Sequence, residues 1–113
     1  MTTFTLKRFD VGNSEHINAH DMLMREAFNT TPERNAELRA MTGHEGIYFL
    51  CEGTDIVASI NAQRCEQYIS GKLFTCWMVA AVAVKQEKRG KGIGTHLWEY
   101  LFHEARELGI SLI

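Results

Sequence analysis

The sequence of 113 residues lacks any apolar run close to the roughly 20 residues that a bilayer crossing needs. Its first ten residues, Met1 to Asp10, alternate polar and apolar side chains and do not form the apolar core of a secretory signal peptide. Hydrophobic residues make up 45% of the chain and charged residues 23%, which argues against disorder. These features predict a cytoplasmic protein with no membrane contact.

Cysteine is scarce, and basic residues are not in excess. Cys51, Cys65 and Cys76 lie far apart in strand-like sequence, so neither a disulfide framework nor a zinc knuckle is indicated. We interpret them as small buried residues in a reducing compartment. The formal net charge is -2 and no stripe of basic and aromatic residues occurs. The composition argues against a nucleic-acid partner and favours a small molecule.

Apolar periodicity and turn residues predict alternating strands and helices. The predicted elements are a strand over 3–9, helices over 14–29 and from Pro32 to about Met41, strands over 46–52, 56–64 and 73–84, a helix from Ile93 to Gly109, and a fifth strand over 110–113. The run over 73–84 is apolar almost without a break, which predicts a central strand covered on both faces. The length suits one domain over 1–113 that buries roughly two-thirds of its unfolded surface.

The most informative stretch is the loop between the strand over 73–84 and the helix that follows. This loop contains three glycines, Gly90, Gly92 and Gly94. Its four basic residues, Lys85, Lys88, Arg89 and Lys91, outnumber its one acidic residue, Glu87, so its local charge is positive. Because glycine has no Cβ atom, a ligand can approach the backbone N–H groups that have no partner within the helix. Such a helix start binds anions, and a diphosphate suits its geometry.

Of three phosphate-binding motifs that contain glycines at close spacing, this loop matches one in full. A Walker loop requires G-x-x-x-x-G-K-[ST], but Gly90-Lys91 is followed by Gly92, so no hydroxyl lies where magnesium would be held. The dinucleotide fingerprint G-x-G-x-x-G begins at Gly90 and Gly92 but has Thr95 in its last glycine position. The third motif, R/Q-x-x-G-x-G/A, is matched throughout by Arg89-Gly90-Lys91-Gly92-Ile93-Gly94.

That match resembles the acetyl-CoA motif of the GCN5-related N-acetyltransferase (GNAT) family. Val82-Ala83-Val84 resembles the family's fourth strand, Gln86 stands where proline is common, and the chain from Thr95 resembles the long third helix. The resemblance implies a mixed, mostly antiparallel sheet of about five strands flanked by three helices, in the order β-α-α-β-β-β-α-β. It covers nearly the whole chain but about three-quarters of the family's fold, so it implies a C-terminally truncated acyl-CoA N-acyltransferase-like domain. The alternative is a glycine-rich structural turn.

The resemblance implies transfer of an acetyl group from acetyl-CoA to a primary amine of a small molecule or peptide, without a metal. The pantetheine of acetyl-CoA would pair with the backbone of Val82, Ala83 and Val84. Its diphosphate would bind the N–H groups of the loop, at Arg89, Gly90, Lys91, Gly92, Ile93, Gly94 and Thr95. The alternative function is a non-catalytic acyl-CoA-binding or assembly module with the same fold.

No general acid or base is assigned from the sequence. The family commonly takes a proton from a tyrosine on a helix after the fifth strand, and Tyr100 lies inside the third helix and does not match. Glu45, Glu52 and His44 lie near predicted strand ends and could act through water. A solvated surface role is the simpler interpretation for each of them.

The remaining histidines and tryptophans have simpler interpretations. His16 and His20 have the i,i+4 spacing of metal ligands, but no third ligand is evident. We interpret His96 and His103 as helix-surface residues. Trp77 and Trp98 suit a core or an interface, with cofactor contact as the alternative.

The predicted fifth strand would have an open edge, because the elements that flank it in the resembling family are not in this sequence. Unpaired strand edges are normally covered. We therefore predict a homodimer that covers this edge by strand pairing or exchange, unless the sequence belongs to a longer chain.

Overall fold

The computed structural model describes residues 3–111 and 113, apart from the side chain of Thr42. Its elements are β1 Phe4–Arg8, α1 Ser14–Phe28, α2 Pro32–Thr42, β2 Ile47–Glu52, β3 Asp55–Ile69, β4 Lys72–Val84 and α3 Ile93–Glu107. A short 3₁₀ turn, Gln86–Lys88, lies between β4 and α3. This arrangement confirms the predicted mixed α/β class and the predicted order of elements up to the third helix.

The ends of α1 and α2 follow local capping chemistry. Thr31 Oγ1 accepts the N–H of Arg34 at 3.1 Å, and Pro32 occupies the first turn of α2. Asn13 caps α1 in the same way, and Asn29 ends α1 in the left-handed conformation with φ 56°. The second helix therefore begins at Pro32, as predicted.

The four strands form one antiparallel sheet in the order β1-β2-β3-β4. The Gly53-Thr54 turn joins β2 to β3. Ser111 donates its N–H to Thr75 O at 2.9 Å, but the described residues after α3 do not form the predicted fifth strand. Leu112, which that prediction included, lies outside the described residues. The described sheet thus has one strand fewer than the five or so predicted.

The prediction that the apolar run over 73–84 forms a central strand was wrong. In the described sheet β4 lies at the edge, and Met78 and Val82 are 59% and 38% exposed. Only Cys76, Trp77 and Ala83 of this strand are buried. An apolar composition indicates that the side chains of a strand are shielded from water. It does not specify which other strands pair with that strand.

The sheet is covered by α3 on one face and by α1 on the other. Ile93, Leu97, Leu101 and Ala105 form the buried face of α3, whereas Leu108 is 39% exposed. On the other face, α1 buries Leu23 and Met24 together with His20, while Phe28 and Met22 are 48% and 38% exposed. Within residues 3–111 and 113, none of the helices combines the length and hydrophobicity that a bilayer crossing requires.

A buried polar cluster joins α1 to α2. Arg39 Nη1 lies 2.7 Å from His20 Nδ1 and donates to Asp21 Oδ1 at 3.1 Å. Asn35 Nδ2 also donates to Asp21, at 3.2 Å. Because arginine can only donate, His20 Nδ1 is the acceptor and the neutral ring carries its hydrogen on Nε2. Burial and, to a smaller extent, the charge of Arg39 lower the pKa of His20 to about 4, against a smaller opposing effect of Asp21.

We predict that acidification destabilises the fold through His20. Its pKa of about 4 in the folded state lies below the ordinary 6.5, so the unfolded state binds more protons between these values. The free energy of unfolding should fall by about 3 kcal/mol between pH 6.5 and 4, at roughly 1.4 kcal/mol per pKa unit. Urea unfolding of the wild type and His20→Gln at several pH values measures this difference in slope.

The matched control is His103→Gln, because His103 is an exposed histidine of α3. It should leave the slope of the wild type unchanged. Equal slopes for the wild type and His20→Gln would show that His20 does not carry the effect.

Candidate functional site

The pairing of β3 with β4 is interrupted by a bulge near the end of β4. Ser59 pairs with Ala83 and Asn61 pairs with Ala80, so Ala81 and Val82 together face Ile60. Ala81 has φ 54°, which is uncommon for a residue with a Cβ atom. A bulge bends the strand and releases backbone groups from the ladder. No feature of the apolar run over 73–84 indicated this bulge.

Beyond the bulge, the loop is fixed to the turn between β2 and β3. Lys85 Nζ lies 3.2 Å from both Asp55 and Glu87, whose hydrogen bonds raise the pKa of Lys85. Lys88 pairs with Glu52 at 3.0 Å. Two of the four basic side chains of the loop are therefore neutralised by neighbours, and the positive charge that remains for a ligand comes from Arg89 and Lys91.

The glycines leave the start of α3 open. Gly90 and Gly92 have φ 79° and 78°, and a Cβ atom added at either one, or at Gly94, would meet nothing within 4 Å. Gly92 is the N-cap and offers no side-chain acceptor to the first turn. The N–H groups of Ile93, Gly94 and Thr95 accordingly have no acceptor among the residues described. The helix start is neither filled nor capped by the protein itself.

The structure brings the two predicted parts of the cofactor site into one continuous edge. Val82, Ala83 and Val84 are the last residues of β4, and Arg89 Nε donates to Val84 O at 3.2 Å, which ties the loop to the strand end. Ala83 is 1% exposed and packs in the core on the α1 face. Its backbone, rather than its side chain, is therefore what this position can offer to a ligand.

A cavity of about 200 Å³ lies between the helices α1 and α2 and the bulge. Its lining is formed by His20, Met24, Leu38, Arg39, Ile47, Ser59, Ile60, Asn61, Ala80 and Ala81. Ser59 Oγ and Asn61 Oδ1 are buried and have no hydrogen-bond partner within the described part of the chain. Sequence reasoning missed this cavity. The available signal was the placement of two polar side chains, Ser59 and Asn61, on one face of the apolar first half of β3.

The residues considered as acids or bases do not reach this cavity. Glu52 and Tyr100 line a different groove, of about 760 Å³, between α3 and β1. Glu45 lines a small cavity near Trp77, and His44 packs near the ring of Phe9 with 6.2 Å between centroids. The groove at α3 is the larger and is also lined by residues of the loop and of the start of α3, but it does not include the bulge. We therefore place the candidate site at β4, whose bulge borders the cavity and whose end leads into the open loop.

The two histidines with metal-ligand spacing have other roles. His16 Nδ1 accepts the N–H of Asp10 at 3.0 Å, and His20 is bound by Arg39. Among the described side chains, no group of three or more His, Cys, Asp or Glu residues could hold a metal ion. Trp77 is buried in the core, and Trp98 packs against the same core from α3. Of the surface histidines, His96 stacks on Phe4 at 4.5 Å.

Solved structures of acetyltransferases share this fold. A GNAT family acetyltransferase from Staphylococcus aureus matches all of this chain and 84% of its own length, with 19% identity and a TM-score of 0.75. A GCN5-related N-acetyltransferase from Kribbella flavida matches 96% of this chain at 18% identity and a TM-score of 0.74. Glucosamine-6-phosphate N-acetyltransferase from Arabidopsis thaliana matches 97% of this chain and 79% of its own, at 17% identity and a TM-score of 0.65.

At these identities the likeness establishes the fold alone. The chain spans 28% of the length of the Kribbella flavida protein and 27% of a similar one from Anabaena variabilis. No curated protein sequence matches the chain. The family model described as an acetyltransferase (GNAT) domain, however, matches residues 11–113, which include every part of the candidate site. The chain therefore belongs to the GNAT acetyltransferase domain family.

Proposed function

We propose that this chain transfers an acetyl group from acetyl-CoA to a primary amine of a small molecule or peptide. Family membership supports acetyl transfer in general. The observation that carries the proposal is the continuity between the bulged free edge of β4 and the uncapped start of α3. The edge of β4 offers strand-like backbone pairing, and the start of α3 offers N–H groups for an anion.

In this proposal acetyl-CoA lies along the end of β4 and across the loop that leads to α3. Its pantetheine pairs with the backbone of Val82, Ala83 and Val84, and its diphosphate receives hydrogen bonds from the loop. The loop residues that would bind it are Arg89, Gly90, Lys91, Gly92, Ile93, Gly94 and Thr95. Support comes from the open space at the three glycines and from the first-turn N–H groups without protein acceptors.

The proposed reaction is direct attack of the amine nitrogen on the thioester carbonyl. A carbon–nitrogen bond forms, the carbon–sulfur bond breaks, and the coenzyme leaves as a thiolate that takes up a proton. A backbone N–H released from the ladder at the bulge is suited to stabilise the developing oxyanion. No metal takes part in the proposal.

The second candidate is a non-catalytic acyl-CoA-binding or assembly module. One observation favours it: the lining of the cavity at the bulge contains no carboxylate and no tyrosine. Such a module would use the same strand edge and loop to bind the coenzyme. The two candidates differ only in turnover.

We also propose a homodimer in the cytoplasm. The free edge of β4 carries exposed apolar side chains, among them Leu73 at 50% and Met78 at 59% exposure. Thr75 O already accepts the N–H of Ser111 here, so a second copy would pair with the rest of this part of the strand and cover these side chains. The three free cysteines suit a reducing compartment.

We predict release of free CoA thiol when the purified chain is mixed with acetyl-CoA and a panel of primary amines. Thiol release that depends on an amine, with the acetylated amine identified by mass spectrometry, supports the transferase. Binding of acetyl-CoA by calorimetry without turnover of any amine would instead favour the binding module. Absence of binding at millimolar acetyl-CoA would overturn both candidates.

We predict that Gly92→Leu removes acetyl-CoA binding without unfolding the chain. The leucine side chain would project into the open space at the start of α3, and affinity should fall at least about tenfold, which is the effect of losing a single charged hydrogen bond. The left-handed conformation of Gly92 adds a stability cost of about 1–2 kcal/mol for a side chain. Calorimetry and circular dichroism measure the two effects.

Gly71→Leu is the matched control for that variant. Gly71 has φ 80° and open space at its Cβ position, but it lies in the turn between β3 and β4. It should show the same stability cost with unchanged acetyl-CoA affinity. Equal affinities of the two variants would contradict the proposed diphosphate site.

We predict that the protein is a dimer in light scattering at micromolar concentration. Met78→Lys should convert it to a monomer, because a charge on the edge strand opposes strand pairing. Met41→Lys on α2, at a position that is 74% exposed, serves as the control for the same substitution. A monomeric wild type would contradict the homodimer.

A further inference from the structure

The outer half of the β3–β4 hairpin is a two-stranded ribbon. Within the described sheet, residues 63–69 of β3 pair with β4 alone, because the pairing of β2 with β3 ends at Asn61. A pair of strands without further neighbours is marginally stable in water. The ribbon also carries exposed apolar side chains, including Tyr68 at 77% exposure. A cross-link between its two strands would therefore change its stability strongly.

Two cysteines lie directly opposite each other in this ribbon. Cys65 of β3 is the cross-strand partner of Cys76 of β4. Side chains at directly opposed positions of an antiparallel pair leave the sheet on the same face. Both residues are free thiols; Cys76 is 4% exposed, and Cys65 is partly exposed. The ribbon thus holds two neighbouring thiols, one of which solvent reaches.

The backbone hydrogen bonds determine how far apart the two cysteines are. Thr75 O accepts the N–H of Ser111 at 2.9 Å, so the carbonyl of Thr75 points away from β3. Successive carbonyls along a strand point to opposite sides, so that of Cys76 points to β3 and makes Cys65 and Cys76 a hydrogen-bonded pair. The Cα atoms of such a pair lie about 5.5 Å apart, within the range of roughly 4.4–6.8 Å found for disulfides.

The sulfur of Cys76 leans toward β3. Cys76 Sγ donates to Phe74 O at 3.6 Å. Phe74 lies two residues before Cys76, so its carbonyl also points to β3, where Gln67 is its partner. The sulfur therefore lies over the gap between the two strands, on the side of Cys65.

A disulfide at this position is strained and hence easily broken. The Cβ atoms of directly opposed residues lie about 4.5–5.5 Å apart, with hydrogen-bonded pairs at the wider end, whereas those of a relaxed disulfide lie about 3.5–4.5 Å apart. Strain makes a disulfide more oxidising and easier to reduce. Strained disulfides are typically regulatory, and structural disulfides resist reduction.

We propose that Cys65 and Cys76 form a reversible redox switch, which hydrogen peroxide closes into a cross-strand disulfide and a thiol reductant reopens. The thiolate of the more exposed Cys65 attacks one oxygen of the peroxide, which gives the sulfenic acid and hydroxide. The sulfur of Cys76 then attacks the sulfur of Cys65, the sulfur–sulfur bond forms, and water leaves. In total the two thiols lose two electrons and two protons, and the peroxide is reduced to water.

The disulfide would act on the ribbon by closing a loop of about 12 residues, from Cys65 to Cys76. Such a link removes conformations from the opened ribbon and so stabilises the pairing between the bridge and the Ser70-Gly71 turn. This switch does not depend on the proposed acetyl transfer.

The first experiment identifies the bridge. The reduced chain is treated with hydrogen peroxide, the remaining thiols are alkylated after unfolding, and the chain is digested with trypsin. Cleavage after Arg64, Lys72 and Lys85 places the two cysteines in separate peptides, 65–72 and 73–85. Mass spectrometry should show these peptides joined by a disulfide, with Cys51 alkylated. Three alkylated cysteines, a bridge to Cys51, a bridge between two chains on a non-reducing gel, or oxidation of Cys65 to the sulfinic acid would overturn the proposal.

The second experiment tests whether the bridge is reversible. Millimolar reduced glutathione should return the oxidised chain to three free thiols, because the strained bond is easily reduced. A bridge that survives this treatment is a structural disulfide, which would contradict the switch.

The third experiment measures the effect on the ribbon. Hydrogen exchange of the Gln67 and Phe74 amides, which lie between the bridge and the turn, should slow at least about tenfold on oxidation. Unchanged exchange in the bridged chain would overturn the proposed stabilisation of the ribbon.

Two variants control for other effects of peroxide. Cys65→Ser, at a partly exposed position, should abolish the bridge and the slower exchange, and it controls for oxidation of methionines such as Met78. Cys51→Ala removes a cysteine of β2 and should respond to peroxide as the wild type does. Slower exchange in oxidised Cys65→Ser would show that another modification causes the effect and would overturn the assignment.

Discussion

The outer edge of β4, which the described residues pair only where Ser111 donates to Thr75 O, is the constraint on which the candidate site depends. A strand paired on one side only has backbone N–H and C=O groups that must find water, a ligand or another chain. The bulge at Ala81 and Val82 adds to this, because it frees further backbone groups where the strand approaches the loop. The same edge is therefore the source of both proposals for β4, a coenzyme near the bulge and a second copy farther along. They use different lengths of the strand, so one does not exclude the other.

The loop can remain open because other contacts fix its position. Lys85 N–H donates to Val57 O at 2.8 Å, and the Gln86 N–H donates to Glu26 of α1 at 3.1 Å. The pair of Lys88 with Glu52 adds a contact to β2. Because these contacts fix the loop before the glycines, the glycines and the start of α3 need no further contacts within the protein to hold their position. A preorganised set of donors loses little conformational entropy when an anion binds, which is what makes such a site effective.

Some features of the fold follow from local chemistry and were predictable. Thr31 and Pro32 specify the start of α2, and the helical spacing of Ile93, Leu97 and Leu101 specifies the buried face of α3. The position of β4 was predicted wrongly, because whether an apolar strand lies at the centre or the edge depends on pairing partners distant in sequence. Likewise, four basic residues in the loop indicated a strong positive charge, yet acidic residues from β2 and β3 neutralise Lys88 and Lys85. Tertiary contacts of that kind leave no trace in the loop's own sequence.

The two halves of the candidate site differ in how they are encoded, and this explains what sequence reasoning could find. The proposed coenzyme half consists of backbone groups, and backbone exposure requires glycine at fixed spacing, so it leaves a readable motif at Gly90, Gly92 and Gly94. The cavity consists of side chains contributed by α1, α2, β2, β3 and β4, and each residue type in it is ordinary for its element. Only the fold brings Ser59 and Arg39 to one cavity. Because the cavity's shape and charge come from residues that no motif constrains, the sequence of the loop does not predict them.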